Sequence, residues 1–131
     1  MMWKIAGALL VIDQCFKAFA LNVWRSWGDK GVFTFSWNAH TLFYSDLAGL
    51  LVALAFMLWL AFKVRKTQAP WAWLLLVGVL SNWIDGVLWY RVIDYLQIPG
   101  IDTAFNLADI SILCGVFLLI RGRWHGRSAK E

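Results

Sequence analysis

Apolar runs close to twenty residues long, broken only by a few charged side chains, do most to limit what this chain folds into. About 20 such residues cross the roughly 30 Å hydrocarbon core of a bilayer. The runs fall at about residues 3–23, 46–62, 71–89 and 104–120. They predict an all-α integral membrane protein, a four-transmembrane-helix bundle forming one domain over residues 1–131. Hydrophobic residues make up 61% of the chain, and no stretch is polar or long enough for a second, soluble domain.

The acids inside those runs carry the functional signal. Asp13, Asp85 and Asp109 lie within apolar stretches, while Asp29, Asp46, Asp94 and Asp102 lie in or beside loops. Asp85 and Asp109 each follow an asparagine by three residues, in Asn82-Trp-Ile-Asp85 and Asn106-Leu-Ala-Asp109. Three residues is nearly one helical turn, so each pair is expected on one helix face. A carboxyl group in hydrocarbon is costly and marks function by default. Counted at 1.5 Å per residue from the inner helix ends, Asp85 stands roughly 21 Å up and Asp109 roughly 18 Å. Two antiparallel helices are thus expected to bring the carboxyls to nearly equal height in the outer half of the bilayer.

Two carboxyls that meet in low dielectric share a proton, and their titration belongs to the pair. One takes a proton from water while the other donates to the developing oxyanion or leaving amine. That chemistry is an aspartyl hydrolase with no cofactor and no metal. A cation held by Asp13, Asp85 and Asp109 is the alternative, though hard cations usually gather more oxygens. His40 and His125 lie in a loop and the tail, away from any Ser or Cys spacing that resembles a triad.

Charge fixes the expected orientation. Of the twelve Lys and Arg, eight flank the inner ends of the spans, among them Lys63, Arg65, Lys66, Arg121 and Arg123. Positive clusters beside spans mark the cytoplasmic side, so both termini are expected there. The net charge of +4 therefore reads as topology and not as a nucleic-acid surface. Cys15 and Cys114 sit in apolar runs without a local Cys or His partner, and read as small buried hydrophobes.

The first run begins like a signal peptide, but Asp13 and Lys17 interrupt the apolar stretch that a cleaved signal needs, so it is expected to be retained. Asp13 and Lys17 share a face at i, i+4, either as a neutralising ion pair or as part of a polar cavity. In the first outer loop Phe33, Phe35 and Trp37 alternate with Thr34 and Ser36, a short strand with one apolar face. Such aromatics form an interface belt or an edge that pairs with an extended peptide.

Taken in order along most of the chain, these residues resemble the lipoprotein signal peptidases (signal peptidase II) of bacteria. The resemblance rests on Asp13-Gln14-x-x-Lys17, Asn38 with Phe43, Gly78 with Asn82 and Asp85, Val92-Ile93-Asp94, and Phe105-Asn106-Leu107-Ala108-Asp109 with Gly115. It implies a four-helix membrane fold with a small extracytoplasmic β element. The implied enzyme is an intramembrane aspartyl endopeptidase of the bacterial inner membrane, cutting a lipid-modified prolipoprotein just before its diacylglyceryl-cysteine. The same likeness implies inhibition by globomycin. Asp85 and Asp109 match the expected catalytic pair, with Asn82, Asn106, Asp13, Lys17, Asn38 and Asp94 as the supporting shell. The protein is expected to act as a monomer among membrane lipids.

Four positions depart from the family pattern. Gly86 stands where the family has Arg, with Arg91 nearby, and Ser81, Tyr90 and His40 stand where it has Gly. The departures motivate an alternative, a non-catalytic protein of this fold that holds a lipidated peptide or partner helix. A proton or ion pathway is a third reading, weakened by the lack of repeated halves.

Overall fold

The structure, a computed structural model, describes residues 1–24, 33–38 and 46–128. The expectations placed on His40 and Phe43 fall outside those residues. Helix α1 (Met2–Phe19) runs on into a wider π-helical segment, Ala20–Trp24. Strand β1 (Phe33–Asn38) follows, then α2 (Leu47–Thr67), α3 (Pro70–Trp89), β2 (Val92–Gln97), β3 (Ala104–Phe105) and α4 (Leu107–Ser128).

The helix ends follow local chemistry. Asp46 caps α2 by accepting the Gly49 N–H at 2.7 Å. Pro70, whose missing N–H costs nothing in a first turn, opens α3. At the other end of α3, Tyr90 turns into the left-handed region at φ 52° so that its N–H reaches the Gly86 carbonyl at 2.9 Å. Glycine usually takes that position.

Helix α3 is the central element, packed against α1, α2 and α4. Between membrane helices small residues set the approach, because lipid offers no hydrophobic drive to associate. A Cβ on Gly78 would lie 2.6 Å from the Ala108 carbonyl oxygen and 2.6 Å from Ile112 Cγ1; one on Gly115 would lie 2.8 Å from Leu75 Cγ. These two glycines let α3 and α4 meet backbone to side chain. The α2–α3 seam is filled by Met57, Leu60, Leu75 and Val79, and Trp83 donates its indole N–H to the Leu50 carbonyl at 3.1 Å.

The chain is turned inside out relative to a water-soluble bundle. Leu51, Leu58 and Phe62 of α2 and Leu113 and Phe117 of α4 face outward, while Asp13, Lys17, Ser81, Asn82, Asp85 and Asn106 are buried. Helices α1 with its continuation to Asn22, α2 and α3 are each long and apolar enough to cross a membrane. Cys15 and Cys114 are exposed on this outer surface, contrary to the expectation of burial. Their runs are apolar on every side, so composition could not tell a lipid-facing position from a packed one.

The three strands form one antiparallel sheet in the order β1-β2-β3. β1 is a strand, as its alternation predicts, but a register irregularity between Phe33 and Ser36 rotates it. Thr34 is therefore buried and Phe33 exposed, while Phe35 and Trp37 pack on Ala20, Ile93 and Tyr95. The last helix begins at Leu107, because Ala104 and Phe105 pair with Gln97 and Leu96.

Candidate active site

Helix α1 brings in Lys17, the one buried cation among the described residues. Lys17 Nζ lies 3.0 Å from Asp13 Oδ2, 2.9 Å from Asp85 Oδ2 and 2.8 Å from Asn82 Oδ1. An ammonium has three protons, and all three are used. Asp85, on the last turns of α3, also accepts the Ile93 N–H at 3.1 Å, which pins the start of β2. Both contacts fall on Oδ2, and the side chain is 2% exposed.

Asp13 is the second hub. Its Oδ2 accepts the Ser81 hydroxyl at 2.6 Å, and its Oδ1 accepts the Tyr95 hydroxyl at 2.6 Å and the Ala108 N–H at 3.3 Å. Gln14 Nε2 donates to the Ser81 hydroxyl at 2.8 Å and to the Ser81 carbonyl at 3.1 Å. One carboxylate thus touches α1, α3, β2 and α4. Burial and the Asp13 carboxylate hold the Tyr95 hydroxyl well above the ordinary phenol range, so it stays a donor.

The second Asn-x-x-Asp is not a mid-helix pair. Asn106 is the residue before α4, and its Oδ1 accepts the Asp109 N–H at 3.0 Å while Asp109 Oδ2 accepts the Asn106 N–H at 3.1 Å. This reciprocal arrangement is a capping box, which satisfies two donors of the first turn. Asn82 and Asp85, by contrast, lie within α3 as the spacing predicts.

Asn106 also ties Asp109 to a different acid. Its Nδ2 donates to Asp94 Oδ1 at 2.7 Å, with the Asn82 Oδ1 and Ile93 carbonyl each 3.2 Å away. Asn82 Nδ2 donates to Asp109 Oδ1 at 2.9 Å. Asp94, in β2, is raised to about 7, first by burial and next by the negative charge of Asp109. Hydrogen bonds from Asn38 and Asn106 pull it back only in part.

All eight residues singled out from the sequence therefore gather in one network: Asp13, Lys17, Asn38, Asn82, Asp85, Asp94, Asn106 and Asp109. Within it Asp85 faces Lys17, and its link to Asp109 runs through Lys17 and Asn82. The trio weighed as cation ligands has the Lys17 ammonium between Asp13 and Asp85. Tyr95 escaped the sequence reading. Its signal was its place directly after Asp94, which a lone aromatic in a strand does not announce.

The helices and sheet match those of a bacterial membrane enzyme solved at 2.3 Å resolution, with a TM-score of 0.83 over 99% of this chain and 91% of that one at 22% identity. A second bacterial membrane enzyme, solved at 1.9 Å, matches with a TM-score of 0.74 over 92% of this chain and 90% of that one at 21% identity. The fold is thus shared with two bacterial membrane enzymes. The family model of signal peptidase (SPase) II matches residues 5–124. The lipoprotein signal peptidase of Thermosynechococcus vestitus is 31% identical over 145 residues, covering 95% of this chain and 92% of that protein. That of Leifsonia xyli is 36% identical over 110 residues, 74% of this chain but 49% of that protein, so the chain spans about half the length of this relative. The chain belongs to the signal peptidase II family.

Proposed function

We propose that this chain is an intramembrane aspartyl endopeptidase that releases the signal peptide of diacylglyceryl-modified prolipoproteins by cutting before the lipidated cysteine. It acts as a monomer in the bacterial inner membrane, with α4 as the fourth span and both termini cytoplasmic. At 22 residues α4 is about 33 Å long, enough to cross. Family membership supports the substrate class, and the buried polar network supports the chemistry.

The reacting pair in this proposal is Asp94 and Asp109, not the Asp85 and Asp109 that the two Asn-x-x-Asp units suggest. The observation that carries it is the Asn106 bridge: its side-chain amide holds Asp94, and its backbone N–H holds Asp109. Asp85 already has its counter-ion in direct contact in Lys17, whereas Asp94 feels the like charge of Asp109 more strongly than the more distant Lys17. Raised to about 7, Asp94 carries the proton. Asp109, half-buried and held by two N–H donors, is the acid assigned to take the proton from water.

The steps follow from those states. Asp109 takes a proton from water as the hydroxide oxygen bonds to the scissile carbonyl carbon, and Asp94 gives its proton to the carbonyl oxygen. The tetrahedral intermediate then collapses: the C–N bond breaks, Asp109 returns its proton to the departing amine, and Asp94 recovers its own. Lys17, Asp13 and Asp85 hold the frame. In a strain depleted of its own enzyme, wild type is expected to process a lipidated precursor, and Asp94→Asn and Asp109→Asn to leave it uncut. Cleavage by either variant would sink the pair, and no cleavage by wild type would sink the function.

A further inference from the structure

We propose that Tyr95 is a positioning residue for this reaction, its hydroxyl setting the spacing between the strand that carries Asp94 and the helix start that carries Asp109. The proposal rests on the proteolytic reading above. A hydroxyl has one proton to give and lone pairs to accept with. The Leu107 N–H points at the Tyr95 oxygen at 3.1 Å and can only donate, so the Tyr95 proton goes to Asp13 Oδ1 at 2.6 Å. Leu107 is the first residue of α4, two before Asp109, and Tyr95 is the residue after Asp94.

The first two amides of α4 thus find acceptors outside the helix: Leu107 on Tyr95, and Ala108 on the Asp13 oxygen that Tyr95 also holds. Orphan first-turn donors need such partners when buried. The ring itself is fixed. It is 2% exposed and stacks on Phe16 with centroids 5.5 Å apart at 17°. The other oxygen of Asp13 is held by Ser81 and Lys17, so the far end of the link cannot drift. The charged groups facing this link are Asp13 and Lys17 from α1, Asp85 from α3, Asp94 from β2 and Asp109 from α4.

Tyr95→Phe keeps the ring and its stacking and removes the link. The expected result is a kcat lower by about tenfold or more with KM within about twofold, since small misplacements of reacting groups are costly in rate. The two apparent pKa values of the pH–rate profile should also move closer, as the like charges part. A role in stability alone would lower the yield of folded enzyme but leave kcat and the profile of the folded fraction where they were. Leu107→Pro cuts the same link from the other side, at a first helical position that tolerates proline. It serves if Tyr95→Phe does not fold, and where both fold the double variant should lose no more than the larger single loss. An active wild type with undiminished kcat in Tyr95→Phe, or additive losses in the double variant, overturns the proposal. An inactive wild type instead overturns the proteolytic reading.

Discussion

Lys17 Nζ sits 3.0 Å from Asp13 Oδ2 and 2.9 Å from Asp85 Oδ2, so a single ammonium is shared by two carboxyl groups in the middle of a membrane bundle. Removing one member of such a cluster leaves charge buried without a partner, typically at about 3–5 kcal/mol. Lys17→Met is therefore expected to lower thermal stability in detergent by that order. A melting temperature within a degree or two of wild type would show that the acids are neutral without it.

Asp85→Asn is the milder lesion at the same place. The amide oxygen can still accept from Lys17, and Asp13 remains to balance the charge. Residual precursor cleavage is expected for Asp85→Asn and none for Asp94→Asn, read as processed lipoprotein on a gel. The reverse order would restore the pairing that the Asn-x-x-Asp spacing suggests.

Asp94 gives the protein a stability that depends on pH in a defined window. Its proton is held up to about 7 in the folded chain but is lost near 3.8 when unfolded. Between those values the folded state binds more protons, so stability falls as pH rises from about 4 to 7 and levels off above, at no more than ~1.4 kcal/mol per pH unit. Melting temperatures across that range should show the slope in wild type and a shallower one in Asp94→Asn.

Gly78→Ala should act on chemistry through packing. Its Cβ would meet the Ala108 carbonyl at 2.6 Å, a backbone atom that cannot rotate away. Overpacking of this kind costs about 1–3 kcal/mol, and the shift of α4 would move Asp109, the next residue. Both melting temperature and cleavage rate are expected to drop.

Tyr90→Gly should stabilise. Tyr90 is 54% exposed and holds φ 52°, a conformation that glycine adopts without a Cβ penalty. The gain is expected at about 1 kcal/mol, seen as a raised melting temperature with cleavage unchanged. A fall would mean that the exposed ring has a partner in the membrane interface.

Much of this was legible in the sequence because the membrane imposes strict rules. The α2 and α3 runs, the Asp13–Lys17 pairing and the strand at Phe33–Asn38 all follow from length, spacing or alternation. What failed to show was which acid faces which. Asn106-x-x-Asp109 has the same spacing as Asn82-x-x-Asp85, yet one opens a helix and the other lies inside one, since Ala104 and Phe105 join the sheet. Asp94 sat beside a loop in the sequence, and only the return of β2 over the bundle brings it to Asn106. The exposure of Cys15 and Cys114 was hidden for the opposite reason: in lipid, outside and inside are equally apolar.

On the proposed mechanism, the box at the start of α4 makes Asp109 answer to two tasks at once, holding its first coil together and meeting the reactants. Fraying by a single coil at that end would then dismantle the proposed catalyst while leaving the rest of the bundle whole. Warmth, a foreign detergent or a thinner bilayer that loosens only this coil would then silence cleavage before the bundle melts, and reversibly, because nothing larger has come undone.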